Sequence, residues 1–359
     1  GGLNIKAAGT PRKSQVDLAI LGVSRKCLYK CKHCYEQFNL NDQETVPLER
    51  WQQAIEELQA GGVNIIAFSG GEPMLRFSGL VELLESADKS LSEFHIYTSG
   101  YSVTPENARI LKEAGLHGAA VGLDDVNPQR YDNFRGYQGA YEQAVQALTS
   151  FHQAGVFPYL NVCLSKELVR SGDLWRLLDL AKTLGAGALR LLEPKPCGGY
   201  ISEKAEDLFS HDDHKSVSEF YIKVNKHRKF RHHPLVVHEA YVEKPSNLGC
   251  MMGGHTHLHI DSTGHVAPCV FLPISFGNIL DETFTDIYKR MREAIPRPLP
   301  KECPSLFLAD TIRSLKDQGV TLPIPYETLE KEWTQFYPFP NICFIPPKIS
   351  SNETTSIFL

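Results

Sequence analysis

The stretch "RKCLYKCKHCYEQF", residues 25–38, places Cys27, Cys31 and Cys34 in a C-x3-C-x2-C array. It directly follows the apolar run "VDLAILGV" at 16–23, which predicts a buried strand. Structural zinc sites use four ligands, commonly as two separated cysteine pairs. A tight triad of thiols instead fits three corners of a cubane 4Fe–4S cluster, whose fourth iron stays free for another ligand. The array therefore predicts an iron–sulfur cluster with one open coordination position.

Strand-like and helix-like segments alternate along the first 190 residues. The predicted strands are short and nearly continuously apolar, as in parallel strands buried on both faces. They are 16–23, 63–68, 94–98, 118–123, 157–164 and 188–192. The intervening helices carry apolar residues on one face, including Trp51, Ile55 and Leu58 in the first. Six such units predict an α/β fold, a partial (β/α)6 TIM-like barrel with its active face at the loops after the strands.

Beyond about residue 195 this alternation ends. Alternating apolar residues around the turn residues 261–264 predict a β-hairpin that carries cysteines, followed by short helices and a tail rich in proline and aromatic residues. The predicted parts are an N-terminal extension, the barrel, a linker with a helix, a hairpin-and-helix domain, and a tail. Their boundaries are 1–15, 16–195, 196–245, 246–345 and 346–359.

Composition narrows the class of protein. The formal net charge of −5 over 359 residues gives no electrostatic reason to expect nucleic acid or an anionic membrane as partner. We expect no membrane span and no secretory leader, because the sequence shows neither kind of apolar segment. The nine cysteines are odd in number and unevenly spaced, which does not indicate a disulfide framework. These features predict a cytoplasmic protein that uses its cysteines as metal ligands.

A second motif ends the second predicted strand. The sequence "FSGGEP", residues 68–73, contains Gly70 and Gly71, which allow the backbone to approach a ligand closely and to present its N–H and C=O groups. Glu72 and Pro73 follow and fix the turn. Alone, this turn is a weak signal, but together with the cysteine array it becomes a strong one.

Together, "CLYKCKHC" and "SGGEP" resemble the two signature motifs of the radical SAM superfamily. The resemblance covers about residues 16–192 and implies the partial barrel. It also implies that the open iron binds the amino and carboxylate groups of S-adenosylmethionine (SAM). One electron, from a donor such as flavodoxin or ferredoxin, then cleaves SAM to a 5′-deoxyadenosyl radical, which abstracts hydrogen from an unactivated carbon.

The resemblance also assigns SAM contacts. "GLDDVNPQRYDNFRG" is similar to a family region in which an arginine pairs with the SAM carboxylate, here Arg135, although Gly122 replaces a frequent serine. His33 stands where the family often places an aromatic residue or histidine beside adenine. The implied SAM-binding residues are His33, Gly70, Gly71, Glu72, Ser99, Arg135, Asn161 and Leu192.

A second cysteine set resembles the SPASM and twitch extensions, which hold auxiliary iron–sulfur clusters. Cys250 and Cys269 flank the predicted hairpin, and Cys303 follows as an implied third ligand. Cys343 and Cys197 compete for the fourth position, with an open iron as the other alternative. The chain has no C-x2-C-x5-C-x3-C run, so we expect one auxiliary cluster, of the 4Fe–4S type, and not two.

Several cysteines and histidines have simpler interpretations. Cys163 lies in a predicted buried strand and reads as a small core residue. Cys197 could be a bystander, a ligand or a catalytic thiol. In "HTHLH", period 2 puts His255, His257 and His259 on one strand face, but no fourth zinc ligand accompanies them. As a hypothesis of another class, zinc would occupy the cysteines of a structural or interaction module.

The resemblance limits the substrate only to a class. An auxiliary cluster implies an oxidative modification, and related proteins favour a peptide or protein substrate. Two features argue for the alternative, a small molecule such as a sugar, an aminocyclitol or a tetrapyrrole side chain. We expect no leader-binding domain of the kind peptide maturases often carry, because the residues before Cys27 leave no room for one, and Val270 stands where sulfatase-maturating relatives have aspartate.

Overall fold

A parallel sheet forms the centre of the chain. The computed structural model describes residues 16–40, 43–299 and 303–336. The strands of the sheet are β1 (Leu18–Ser24), β2 (Ile65–Gly70), β3 (Glu93–Thr98), β4 (Leu116–Gly122), β5 (Phe157–Cys163), β6 (Ala188–Leu192), β7 (Leu235–His238), β8 (His257–Ile260) and β9 (Val266–Ala267). They lie in the order β7-β6-β5-β4-β3-β2-β1-β8-β9. Every neighbouring pair is parallel except β8 with β9.

Helices connect and cover these strands. The described helices are α1 (Leu48–Ala60), α2 (Phe77–Ser86), α3 (Pro105–Ala114), α4 (Pro128–Arg135), α5 (Ala140–Gln153), α6 (Lys166–Arg170), α7 (Asp173–Thr183), α8 (Ala205–Leu208), α9 (His211–Lys226), α10 (Glu239–Val242), α11 (Phe284–Ala294), α12 (Pro304–Asp317) and α13 (Glu330–Phe336). A small second sheet pairs β10 (Ile274–Ser275) with β11 (Ile324–Pro325). None of the described helices has the length and apolarity needed to cross a membrane.

Local sequence sets the helix ends. The Thr104 hydroxyl accepts a hydrogen bond from the Asn107 N–H and so caps α3, which begins with proline. Gly115 ends the same helix in the left-handed conformation, with φ of +111°. Asn127 caps α4 in the same way as Thr104 caps α3. These caps place α3 and α4 at defined distances from the active-face ends of β3 and β4.

The core lies between the sheet and its helices. Trp51, Ile55 and Leu58 on α1 are buried, as their helical spacing predicts. Across β2 and β3, Phe68 stacks on Phe94 with 5.9 Å between ring centroids. Burial of each such side chain contributes about 1.5–3 kcal/mol to the free energy of unfolding. The α/β class and the six predicted strands are therefore confirmed.

The sheet contains more strands than the six barrel strands that the sequence predicts. β7 is a four-residue strand inside the segment expected to be a linker, and it pairs with β6. β8 and β9 form the predicted hairpin, but β8 also pairs in parallel with β1, from Leu18 opposite His257 to Leu21 opposite Ile260. The cysteine-bearing hairpin therefore continues the barrel sheet directly. The domain boundaries given above stay predictions.

Candidate active site

The cysteine array forms a loop at the carboxyl end of β1. Cys27, Cys31 and Cys34 are partly buried there, and none is in a disulfide. The pKa of Cys27 is raised to about 12, chiefly by burial, with nearby Glu72 and Cys31 contributing to the shift. Burial also raises the pKa of Cys34, to which charges on Cys31 and Cys27 add. The three thiols therefore lie in one another's electrostatic range, and a bound metal would supply the positive charge that thiolates require.

The glycine turn after β2 holds this loop in place. The Gly71 N–H donates to the Ser24 carbonyl at 2.7 Å, and the Glu72 N–H donates to the Lys26 carbonyl at 2.7 Å. A Cβ on Gly71 would lie 2.2 Å from the Lys26 oxygen, so no larger residue fits. Glycine at position 71 therefore allows the backbone after β2 to pack closely against the cysteine loop. Its N–H is engaged within the protein and not directed at a ligand.

Glu72 fastens the ends of β2 and β3 to each other. Its buried carboxylate accepts hydrogen bonds from the Thr98 hydroxyl at 2.7 Å, the Ser99 N–H at 2.8 Å and the Ser99 hydroxyl at 2.5 Å. Burial raises the pKa of Glu72, and these hydrogen bonds oppose that shift. Two predicted SAM contacts, Glu72 and Ser99, are thus direct hydrogen-bond partners beside the cysteine loop.

Arg135 lies against the loop from the other side. Its Nε donates to the Asp124 carboxylate at 2.7 Å, and its Nη1 lies 3.9 Å from the Cys31 sulfur. A Cβ on Gly122 would lie 2.1 Å from the guanidinium, so the guanidinium occupies the space of any side chain at position 122. This explains the glycine that departs from the family pattern. Burial raises the pKa of Cys31 and the Arg135 charge lowers it, which favours the thiolate.

Among the buried polar atoms without a hydrogen-bond partner in the described residues are His33 Nδ1 and Asn161 Oδ1, both near the loop. The His33 ring stacks on Phe134 with centroids 4.7 Å apart, and Asn161 lies on β5 opposite Gly122. Unpaired buried polar atoms are costly, so each indicates a missing partner. SAM carries amino, carboxylate and adenine groups that suit such atoms, and the residues present fit that cofactor. Leu192, half-buried, ends β6 on the same face.

A cavity of about 260 Å³ opens beside the loop, at the ends of β4 and β5. Its lining includes Lys32, Asp124, Arg130, Phe134 and Cys163. Cys163, interpreted above as a core residue, thus stands at the active-face end of β5, where its N–H donates to Asp124 at 2.8 Å. The cavity combines charged groups with an aromatic face next to the cysteine loop.

The second cysteine set consists of Cys250, Cys269 and Cys303. The Cys250 N–H donates to the Leu299 carbonyl at 2.8 Å, and Cys303 immediately precedes α12. Burial raises the pKa of Cys250, and charges on Cys303 and Cys269 raise it further. All three are outside any disulfide, and Cys303 and Cys269 lie within electrostatic range of Cys250. Cys343 lies outside the described residues.

A buried polar bridge that sequence reasoning missed connects the two cysteine sets. Glu36, two residues after Cys34, accepts a hydrogen bond from the Ser262 hydroxyl at 3.0 Å. The imidazole of His259 on β8 lies 3.2 Å from the same carboxylate. His255, by contrast, bonds the Ile295 carbonyl. The histidines of "HTHLH" therefore serve separate contacts, and the described part of the chain has no group of three His, Cys, Asp or Glu able to hold a single metal ion.

A second missed cluster lies after β6. The buried Glu193 carboxylate meets His214 at 2.8 Å, His238 at 3.0 Å and Lys195 at 3.3 Å. Burial would raise the pKa of Glu193, but these partners lower it below its usual value. The cluster precedes Cys197 on the active face. An acidic residue directly after a strand, in "LLEPKPC", is the sequence signal that could have identified it.

Comparisons with known proteins agree with this geometry. The family model of the radical SAM superfamily matches residues 21–167, and that of the SPASM iron–sulfur cluster-binding domain matches 250–305. The AdoMet-dependent heme synthase of Oleidesulfovibrio alaskensis is 27% identical over 293 residues, 75% of this chain and 73% of the relative. The PqqA peptide cyclase of Gluconobacter oxydans is 24% identical over 273 residues, 74% of each chain.

A solved structure shows the same fold. Streptococcus suis SuiB bound to the precursor peptide SuiA superposes with a TM-score of 0.62 at 17% identity, over 76% of this chain. The chain spans just under two thirds of SuiB, 64% of its length. The radical SAM domain implies a 4Fe–4S cluster with SAM, and the SPASM domain implies auxiliary iron–sulfur binding. The chain therefore contains a radical SAM region at residues 21–167 and a SPASM-type iron–sulfur cluster-binding region at residues 250–305.

Proposed function

We propose that the chain cleaves SAM reductively at the cysteine loop and abstracts hydrogen from an unactivated carbon, in an oxidative modification of its substrate. The observation that carries this proposal is the convergence of three cysteines outside any disulfide with Glu72–Ser99 and Arg135 at the active-face end of β1. When bound, the cluster and SAM supply the radical chemistry, with an electron from a donor such as flavodoxin or ferredoxin.

The protein's own residues would bind and orient the cluster and SAM. Cys27, Cys31 and Cys34 would hold three irons of the cluster. Arg135 places a positive charge 3.9 Å from the Cys31 sulfur, which favours thiolate. The unpaired Asn161 oxygen suits a donor on SAM. Glu72 would keep the loop from shifting, because it ties the ends of β2 and β3 behind it.

The second cysteine set would hold one auxiliary cluster. Cys250, Cys269 and Cys303 are outside any disulfide and partly or fully buried, and Cys303 lies within electrostatic range of Cys269. An auxiliary cluster near the substrate supplies an electron acceptor or a point of substrate attachment, which is why we propose an oxidation. Zinc binding, the hypothesis of another class, has less support because the matched C-terminal family is an iron–sulfur one.

Two substrate classes have support. A relative that makes heme is 27% identical and a peptide cyclase is 24% identical, each over about three quarters of this chain. Because the heme synthase has the higher identity, we propose a tetrapyrrole side chain as the first candidate substrate. The sequence motifs alone favoured a peptide instead. A peptide is the second candidate. The difference is small, so the experiment must offer both.

Anaerobic purification tests the chemistry. We expect a brown protein with about eight irons per chain, as two 4Fe–4S clusters require. It should form 5′-deoxyadenosine from SAM and a reductant. The triple replacement of Cys27, Cys31 and Cys34 by alanine should abolish this product and leave about four irons. A colourless zinc protein, or cleavage that persists in the triple variant, would contradict the proposal.

Substrate class is tested by deuterium transfer. An iron porphyrin with deuterated propionate side chains and short deuterated candidate peptides would be incubated separately with enzyme, SAM and reductant. Deuterium in 5′-deoxyadenosine identifies the class whose carbon is attacked. Transfer from peptides alone would reject the tetrapyrrole.

A further inference from the structure

We propose that Arg190, on β6, binds a carboxylate group of the substrate inside the barrel, and that the Glu239 carboxylate occupies the same position until the substrate displaces it. The inference rests on the proposed function, because it concerns the substrate of that same site. Neither residue is among the SAM contacts assigned above. A carboxylate is common to both candidate substrates, since tetrapyrroles carry it on propionate side chains and peptides carry it on acidic side chains.

Arg190 lies on the inner face of the sheet. Successive residues of a strand face opposite sides of the sheet. Leu189 and Leu191 are fully buried in the core between the sheet and its helices. Ala188 instead belongs to a small separate cluster that includes Tyr159 of the neighbouring strand. Because Arg190 shares the face of Ala188, its side chain lies inside the barrel.

Arg190 also lies at the level of the proposed SAM contacts. It pairs in register with Asn161 on β5, which in turn pairs with Gly122 on β4. Parallel neighbours in register have their side chains on the same face of the sheet. Asn161 carries one of the buried oxygens without a hydrogen-bond partner in the described residues. A group bound by Arg190 would therefore lie next to the region proposed for SAM, where hydrogen abstraction would take place.

Tyr97, on β3, holds the guanidinium in place. Nη1 of Arg190 donates to the Tyr97 hydroxyl at 3.0 Å, and the guanidinium carbon lies 5.8 Å from the centre of the Tyr97 ring. The Arg190 side chain keeps 17% of its surface exposed, so a ligand can reach it. A guanidinium is always charged, and its planar fork of N–H groups matches a carboxylate. β3 and β6 therefore hold a fixed positive charge inside the barrel.

Glu239, the first residue of α10, is the anionic partner of this guanidinium. Nε of Arg190 donates to Oε1 of Glu239 at 2.5 Å, and Nη2 contacts the same oxygen. A substrate carboxylate can offer one oxygen to each nitrogen, which is the geometry that makes arginine–carboxylate pairs strong. The Glu239 side chain is 40% exposed, so its carboxylate can return to water at little cost.

The test compares charged and neutral forms of two probes. Iron coproporphyrin and its methyl ester form the first pair, and a blocked triglutamate peptide and its glutamine counterpart form the second. Equilibrium dialysis against the anaerobically reconstituted full chain, with SAM and without reductant, gives each Kd. We expect the acid form of one pair to bind at least about tenfold more tightly than its neutral form. The pair that shows this preference identifies the source of the carboxylate.

Substitutions then assign the preference to Arg190. Arg190→Met should raise the Kd of the acid form about tenfold and leave the Kd of the neutral form unchanged. Arg190→Lys should give an intermediate Kd. Glu239→Gln should lower the Kd of the acid form severalfold, because the competing carboxylate is gone, whereas loss of a purely structural ion pair gives no such gain. Arg176→Met, which removes an ion pair with Asp173 on α7, is the matched control and should change neither Kd.

Two results would overturn the inference directly. One is a wild-type protein that does not prefer the acid form in either pair, and the other is a preference that Arg190→Met keeps. Weaker binding of labelled SAM to Arg190→Met would assign the residue to the SAM site and overturn it as well. The proposed function fails separately, by absence of 5′-deoxyadenosine from the wild-type protein with reductant. Iron content and circular dichroism control for folding, and Arg190→Lys carries the test should Arg190→Met unfold.

Discussion

Glu36 of the SAM-cluster loop lies 3.2 Å from His259 of β8, and both side chains are buried, at 1% and 5% exposure. The Ser262 hydroxyl in the hairpin turn donates to the same carboxylate. The hairpin of the SPASM-type domain therefore supports the loop that carries Cys34, two residues from Glu36. One buried polar bridge thus positions parts of both cysteine sets.

Removal of this bridge should destabilise the whole chain. In Glu36→Ala, His259 and Ser262 lose their buried partner, and we expect a loss of about 3 kcal/mol in the free energy of unfolding. Urea denaturation under anaerobic conditions measures it. Glu219→Ala, on an exposed position of α9, is the control and should change the value by less than about 0.5 kcal/mol. Equal effects in both variants would show that the bridge is energetically unimportant.

Gly122 and Arg135 should be energetically coupled. Gly122→Ser places a side chain into the guanidinium, 2.1 Å from the built Cβ, and should cost about 1–3 kcal/mol. In an Arg135→Ala background the clash is absent, so the same serine should cost much less. A double-mutant cycle by urea denaturation gives the coupling energy. Additive effects would mean that the guanidinium does not set the residue at position 122.

Gly71→Ala should remove the SAM cluster selectively. Its Cβ would lie 2.2 Å from the Lys26 carbonyl and displace the segment that leads to Cys27. We expect iron to fall from about eight to about four per chain, because the auxiliary cysteines are untouched. Gly61→Ala is the matched control, since Gly61 has ordinary helical dihedrals. Full iron content in Gly71→Ala would contradict the role given to this contact.

Lys195→Met should lower the reduction potential of the auxiliary cluster, because the Lys195 ammonium lies within electrostatic range of Cys303, one of the proposed ligands. A positive charge near the cluster stabilises its more negative, reduced state, and its removal favours oxidation. We expect a shift of about 60 mV, a tenfold change in a one-electron equilibrium. An EPR-monitored redox titration in the triple-alanine background measures it, with Lys215→Met on the exposed side of α9 as the control. An unchanged or higher potential would place Lys195 away from the cluster.

The sequence predicts the local features of this fold well. Each of these features is encoded by a short stretch of sequence. They are the spacing of Cys27, Cys31 and Cys34, the apolar strands and the glycine turn at 70–71. The sequence did not predict β7, because its four residues form a strand only by pairing with β6. β8 was predicted as half of a hairpin, but its pairing with β1 joins segments more than 230 residues apart.

In the candidate site, too, the sequence does not predict contacts between residues that are far apart along the chain. The Arg135 guanidinium explains Gly122 only once both are placed in space. The Glu36–His259 bridge joins residues that no local pattern relates. Periodicity and spacing report neighbours along the chain. Contacts between distant segments depend on how the sheet brings strand ends together.

The central claim is that the open iron of the Cys27–Cys31–Cys34 cluster binds SAM. The most direct test uses a variant with Cys250, Cys269 and Cys303 replaced by alanine, reduced and mixed with SAM labelled with ¹⁵N in its amino group. The account predicts that SAM alters the EPR spectrum of the cluster and that the label shows hyperfine coupling to it. A spectrum that SAM leaves unchanged, in a protein that holds its four irons, would contradict the account.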